Sequence, residues 1–332
     1  MPKQNLSEQL DRMIGAVIAL RDAALPKATR EIAPLLQIAA QLRGLPRAEF
    51  RARLKSDLQR GMTMQSSAAP TREETTKKVN PIREGFHTIT PYVIVKDAAE
   101  LIDFVKQAFG AEEIFRGIGS AGGIHAEVRI GDSMLMLGGG GAWHGTPQPT
   151  SLHLYVPDVD SVYEKAVRAG AVSIAKPIDQ PYGDREAGVK DLAGNDWYIA
   201  THKGASYVPE GLHSVNLYLH PRGAVRMIDF LKNAFGAALT DRAEAPDGTV
   251  VHAKMRIGTS TLELGEAHGA YQPKPTAIYM YVDDVDAVYK LAIGAGGIGT
   301  QPPADQPYGD RNGWVKDPFG NDWFISTHIK DA

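Results

Sequence analysis

The chain repeats itself. The segment QPYGDREAGVKDLAGNDWYIATH, from Gln180 to His202, returns as QPYGDRNGWVKDPFGNDWFISTH from Gln306 to His328. LIDFVKQAFGA, from Leu101 to Ala111, returns as MIDFLKNAFGA from Met227 to Ala237, and HAEVRIGDS, from His125 to Ser133, returns as HAKMRIGTS from His252 to Ser260. The order is unchanged. A unit of about 120 residues is too long for a solenoid repeat and has the size of a domain, so the chain carries a tandem duplication of a whole domain.

Periodicity gives the elements within each unit. HTITPYVIV alternates as a strand, while AAELIDFVKQAF puts Leu101, Phe104, Val105 and Phe109 on one helical face, with Gly110 where a helix ends. Short strands follow near 112–115, 125–130 and 133–137. The pattern then restarts with SLHLYV as a strand, VDSVYEKAVRAGA as a helix, and strands near 172–174, 187–190 and 196–201. Each unit reads βαβββ–βαβββ, an α+β fold with four such modules in the chain. The expected domains are 86–204 and 210–330. Ahead of them, residues 1–61 carry apolar positions at helical spacing (Leu6, Leu10, Ile14 and Val17, then Phe50, Leu54 and Leu58) and read as a small helical segment. Residues 62–85 are polar and aperiodic and read as a linker. The N-terminal helices either pack on the main body or dock a partner.

Composition removes whole classes of function. Among 332 residues, Lys+Arg 36 against Asp+Glu 39 leaves a net charge of −3, without the basic excess that nucleic-acid binding requires. The absence of cysteine removes disulfides, thiolate nucleophiles and thiolate metal ligands. No apolar run reaches the ~18 residues of a spanning helix, and the first residues lack the apolar stretch of a signal peptide. The expectation is a cytoplasmic protein with no membrane contact.

Two βαβββ modules in series, closing on D-x-x-G-N-x-W at Asp191–Trp197 and again at Asp317–Trp323, resemble the vicinal oxygen chelate superfamily. This is the group of glyoxalase I, bleomycin-resistance proteins, fosfomycin-resistance enzymes and extradiol dioxygenases. The QPYGDR, HAEVRIGDS and GNDWYIATH stretches are similar to its PhnB-like branch. The resemblance covers about residues 86–330 and implies tandem domains, each of two βαβββ modules forming a curled mixed sheet whose concave side holds a ligand. It also implies where metal-dependent members carry their ligands, on the first, fourth, fifth and eighth strands. Those positions fall at Thr90, Met136, Ser151 and Tyr198 in the first domain, and at Asn216, Glu263, Ala277 and Phe324 in the second. Only Glu263 is an ordinary ligand, although a shift of two residues on the fifth strand brings in His153. No cofactor is therefore expected; Glu263 is the weak metal candidate, and a divalent ion stays open.

Strand alternation sorts the faces. Ala126, Val128 and Ile130 belong under a helix, so His125, Glu127 and Arg129 point the other way, as do His252, Lys254 and Arg256. Tyr198, Ala200 and His202 share a face, matched by Phe324, Ser326 and His328. The fifth strand adds Ser151, His153 and Tyr155, or Ala277, Tyr279 and Tyr281; the first strand adds Tyr92 and Tyr218. Tyr182 and Tyr308 are candidates to cap a ligand, whereas Asp184, Arg185, Asp310 and Arg311 read as residues that fix the loop. Aromatic walls with a few polar anchors suit a flat or amphipathic small molecule. The same side chains would alternatively bond across the seam between modules. Gly138–Gly141 lacks the context of a phosphate loop and reads as a hinge, with Trp143 and His144 as lid residues. Glu263, Glu266 and His268 form a compact metal-type cluster whose near-consecutive members cannot all converge.

Three functions fit this reading. The first is a glyoxalase- or bleomycin-resistance-like protein that binds a small molecule without metal. The second is a metal-dependent lyase, isomerase or dioxygenase with its site in the second domain, around Glu263 and His252. The third is a ligand-sensing regulatory or scaffold protein that engages a protein partner through its N-terminal helices.

Overall fold

A computed structural model describes residues 79–331. The helical segment expected over 1–61 and most of the expected linker lie outside the described residues. The first module runs β1 (Ile89–Val95), α1 (Ala98–Phe109), β2 (Glu112–Ile118), β3 (Ile124–Ile130) and β4 (Ser133–Gly139). The second runs β5 (Ser151–Tyr155), α2 (Val159–Arg168), β6 (Val172–Asp179), β7 (Asp184–Lys190) and β8 (Asp196–His202). The third comprises β9 (Val215–Leu219), α3 (Ala224–Phe235), β10 (Ala238–Glu244), β11 (Val250–Ile257) and β12 (Ser260–Leu264). The fourth comprises β13 (Ala277–Tyr281), α4 (Val285–Gly294), β14 (Ile298–Asp305), β15 (Asp310–Lys316) and β16 (Asp322–His328).

Local chemistry sets the ends of the helices. Asp97, Asp158 and Asp284 are N-caps that accept from the amides of Glu100, Ser161 and Ala287. Helix α3 has Gly223 at that place and no side-chain cap of its own. Glu266 supplies the missing acceptors from the segment after β12, taking the amides of Gly223 and Ala224 at 2.7 Å each.

The modules assemble into two mixed eight-stranded sheets, ordered β14-β15-β16-β13-β1-β4-β3-β2 and β10-β11-β12-β9-β5-β8-β7-β6. Each sheet is built of two βαβββ modules, but the two come from different repeats. Strand β1 runs antiparallel to β13, with Thr90 opposite Tyr279, and β5 runs antiparallel to β9, with His153 opposite Asn216. This corrects the expectation that each repeat closes its own cup: the first and fourth modules share one sheet, the second and third the other. Every module begins with a strand that would otherwise expose an unpaired edge, and the exchange pairs all four of these edges.

The two modules of one repeat meet instead through their helices and outer faces. Phe109 of α1 lies 4.6 Å from the Trp197 ring on β8, and Phe235 of α3 lies 4.4 Å from Trp323 on β16. Both tryptophans are fully buried in a core that runs continuously under both sheets. Their indole N–H groups donate to Asp191 and Asp317, which also accept from the Asn195 and Asn321 side chains. The D-x-x-G-N-x-W motif thus locks a turn to the core, and its polar atoms are spent in doing so.

Two sequence readings change here. Asp184 and Arg185 open β7, and Asp310 and Arg311 open β15, rather than lying in loops. Gly138 and Gly139 end β4 rather than form a hinge, and a Cβ at Gly139 (φ 128°) would stand 1.8 Å from the Val95 carbonyl oxygen. The glycine run permits this close approach of β4 to β1.

Candidate functional site

The concave face of the second sheet encloses a cavity of about 640 Å³. Register places its residues. On β5, His153 lies beside Tyr198 of β8, and on β12 Glu263 lies beside Tyr218 of β9. Each module supplies one of these pairs, and the two face one cavity only because modules from the two repeats share the sheet.

Its floor is a buried ion pair. His153 Nδ1 lies 2.8 Å from Glu263 Oε2, with the side chains 7% and 1% exposed. Burial works to raise the Glu263 carboxyl, but the charge and hydrogen bond of His153 hold it below the usual carboxylate range. Burial likewise works to lower His153, and the Glu263 charge overrides it, so the imidazole is raised. With Nδ1 spent on Glu263, the second ring nitrogen, Nε2, is buried without a partner among the described residues.

Around this floor the walls are aromatic. Tyr218 stacks on His220 at 4.8 Å, Tyr198 donates to or accepts from His220 Nε2 at 3.2 Å, and Tyr271 closes on both. Burial lowers His220 to about 4, so this imidazole is neutral. Burial raises the Tyr155, Tyr198 and Tyr218 phenols, aided by neighbouring carboxylates, so they stay protonated. Tyr155 donates to Asp184, which also meets His202 Nδ1 at 2.6 Å. Toward the mouth the half-open Tyr182 donates to Glu186, whose carboxyl burial raises.

Of the residues singled out from sequence, His153, Tyr155, Tyr182, Tyr198, His202, Tyr218, His252 and Glu263 all line this one cavity. Glu266 and His268 do as well, but Glu266 caps α3 and His268 Nδ1 meets the Glu266 carbonyl. Sequence reasoning missed Asp184, Glu186, His220, Lys254 as a lining residue, and Tyr271. His220 was legible, two residues beyond Tyr218 on the same strand face, but it lies just past the strand's end. Asp184 was read as loop-fixing because its partners, Tyr155 and His202, are distant in sequence.

The other predicted residues, apart from Arg256 on β11 of the second sheet, belong with the first sheet. Tyr92, Tyr279 and Phe324 pack together, and His125 sits edge-on to Tyr92. Tyr279, Tyr281 and His328 converge on the buried Asp310, at 2.6, 3.1 and 2.8 Å. Burial raises Tyr308 to about 12. Arg129 is exposed and pairs with Glu112, and Arg256 is also exposed. Neither arginine lines the cavity.

At the floor of the cavity the ordinary metal-ligand types are His153, His252 and Glu263. Glu263 is already bonded to His153, and His252 Nε2 is 3.8 Å from its other oxygen. The two strands that would complete a donor set present Tyr198 and Tyr218, which burial keeps protonated. A different triple, His87, Asp132 and His213, brings its ligand atoms within 4.8 Å of one another. There the two imidazoles stack at 3.6 Å and 13°, so their in-plane lone pairs lie in separate, nearly parallel planes, a poor arrangement for holding one ion. His213 bonds Asp132 at 2.9 Å and the Thr259 carbonyl at 2.7 Å, joining the two repeats.

The fold and this cup define a class. The family model described as Glyoxalase/Bleomycin resistance protein/Dioxygenase superfamily matches residues 85–199 and 223–325, and the chain belongs to that superfamily. The anthracycline biosynthesis protein DnrV of Streptomyces peucetius is 31% identical over 189 residues, covering 55% of this chain and 67% of that protein. An uncharacterized protein of Mycobacterium tuberculosis, Rv0887c, is 38% identical over 120 residues, 33% of this chain and 71% of its own. Among solved structures, glyoxalase I from Zea mays superposes with a TM-score of 0.56 at 16% identity, covering 72% of this chain and 92% of that one. A putative dioxygenase from Bacillus subtilis gives 0.51 at 15% identity, covering 73% and 85%. At such identities the likeness is one of fold alone. Among the described residues, no helix is long and apolar enough to cross a membrane.

Proposed function

We propose that this protein binds one amphipathic aromatic small molecule in the cup of its second sheet, without a metal ion. The observation that carries this reading is the cavity of about 640 Å³, walled by Tyr155, Tyr198, Tyr218 and Tyr271 over the buried His153–Glu263 pair. Apolar walls supply the driving force, and a few fixed polar groups orient the ligand. Tyr182, 61% exposed, stands at the mouth where it would cover a bound ring. The name of the Streptomyces relative, which ties that protein to anthracycline biosynthesis, agrees with a small-molecule occupant.

Calorimetric titration with a panel of polycyclic aromatic compounds tests this. The expected result is saturable binding of one molecule, unchanged by EDTA and weakened at least tenfold by Val251→Trp, which places a bulky ring at the cavity rim. Binding that disappears with EDTA would instead favour the metal-dependent enzyme reading. No binding across the panel would remove the proposal.

A further inference from the structure

We infer that the ligand of this cup carries an acceptor oxygen, a carbonyl or phenolate, that is met by the His153 Nε2–H. The inference rests on the binding reading above and deepens it. The geometry is that of a donor prepared for something the protein itself does not contain. His153 is 6% exposed, lines the cavity, and has Nδ1 committed to Glu263 at 2.8 Å. Nε2 is the remaining polar atom of the ring and has no partner among the described residues. A buried N–H left without an acceptor is costly, more so when the ring is charged, and folded proteins retain few of them.

The charge state selects the ligand chemistry. A neutral imidazole bonded through Nδ1–H would offer Nε2 as an acceptor and favour a ligand donor. Here the fully buried Glu263 faces the ring, and Asp184 and Glu186 lie close enough to stabilise its positive charge further. Those carboxylates face His153 from β7 and β12, while Lys254 of β11 and His252 oppose it from the far side of Glu263. These carboxylates raise the imidazole and so favour the imidazolium, whose Nε2 only donates. An oxygen with partial or full negative charge is the complement, and a charge-assisted bond to this buried nitrogen discriminates against a ligand that lacks it.

The test uses the full chain and two isosteric probes, 1-indanone and indane, titrated by NMR. The wild type should prefer the ketone at least tenfold, and the preference should fall below about twofold in His153→Phe. His153→Phe/Glu263→Met, which removes both buried charges together, serves if the single variant does not fold. Equal affinity for the two probes, or a preference that survives either variant, overturns the inference and leaves the pocket standing as an apolar binder. Binding of neither 1-indanone nor indane to the wild type overturns the inference together with the binding reading.

Discussion

The two sheets are built from equivalent modules and have different interiors. Register makes them comparable position by position: His153, Glu263, Tyr198 and Tyr218 in the second sheet correspond to Tyr279, Met136, Phe324 and Tyr92 in the first. Where the second sheet buries an ion pair beside a cavity, the first has an aromatic and a thioether that pack together. Trp314 packs edge-on against Phe324 in the first sheet, where β7 of the second has Gly188.

The straps leading into the sheets differ in the same sense. PIREGFHT, from Pro81 to Thr88, corresponds to YVPEGLHS, from Tyr207 to Ser214. Arg83 reaches from the first strap to the buried Glu127 and lies 4.1 Å over the Phe86 ring. Pro209 holds that place in the second strap and lines the cavity. The first cup has been supplied with its own cation and its own large ring, whereas the second keeps room for a guest. Duplication gave one fold twice, and side-chain volume at a few inward positions separated a packed cup from an open one.

Breaking the second floor should produce the largest effect. Glu263→Leu leaves His153 buried without its counter-ion and should cost about 3–5 kcal/mol, read as a shift in the denaturant midpoint. The double variant His153→Phe/Glu263→Met should recover most of that loss. A single variant that unfolds like the wild type would mean that the pair contributes no coupling.

The first cup is tested by emptying it. Arg83→Ala removes the cation beside Glu127 and should cost about 1–3 kcal/mol, whereas Pro209→Ala should cost less than about 0.5 kcal/mol. Combined with Trp314→Gly, Arg83→Ala should raise the stoichiometry of aromatic binding from one toward two. A stoichiometry that stays at one would show that more than these two residues closes the first cup.

The seam between repeats should show a smaller effect that depends on pH. Both ring nitrogens of His213 face acceptors, Asp132 and the Thr259 carbonyl, so both bonds form only with the imidazolium. The Asp132 hydrogen bond raises His213 despite burial, so its contribution is fully present below the ordinary histidine value of about 6.5 and fades as pH rises through the raised value. Burial and the neighbouring His213 lower His87, which acts in the opposite sense and loses stability as pH falls through its depressed value. His213→Gln should flatten the alkaline side of a melting-temperature profile, by less than about 1 kcal/mol because Asp132 is half exposed. An unchanged profile would exclude the imidazolium clamp.

Much of this was legible in the chain. The helix at Ala98–Phe109 follows from its apolar spacing and its Asp97 and Gly110 ends, and the alternation of β8 put Trp197 in the core and Tyr198 toward the cup. Arg129 and Arg256 show the limit of that method: they share the parity of His125 and His252, yet they lie at strand ends beyond the cover of the sheet, where parity no longer means enclosure.

Sequence by itself determined the duplication, the four modules and most of the inward-facing aromatic residues, because repeats and periods are local properties of a chain. Tertiary structure alone decided which modules share a sheet. Closing a cup within one repeat or across two pairs the same kind of edge, so no local pattern distinguishes them. From that one choice follow the meeting of His153 with Glu263, across the boundary between repeats, and the open cup beside them.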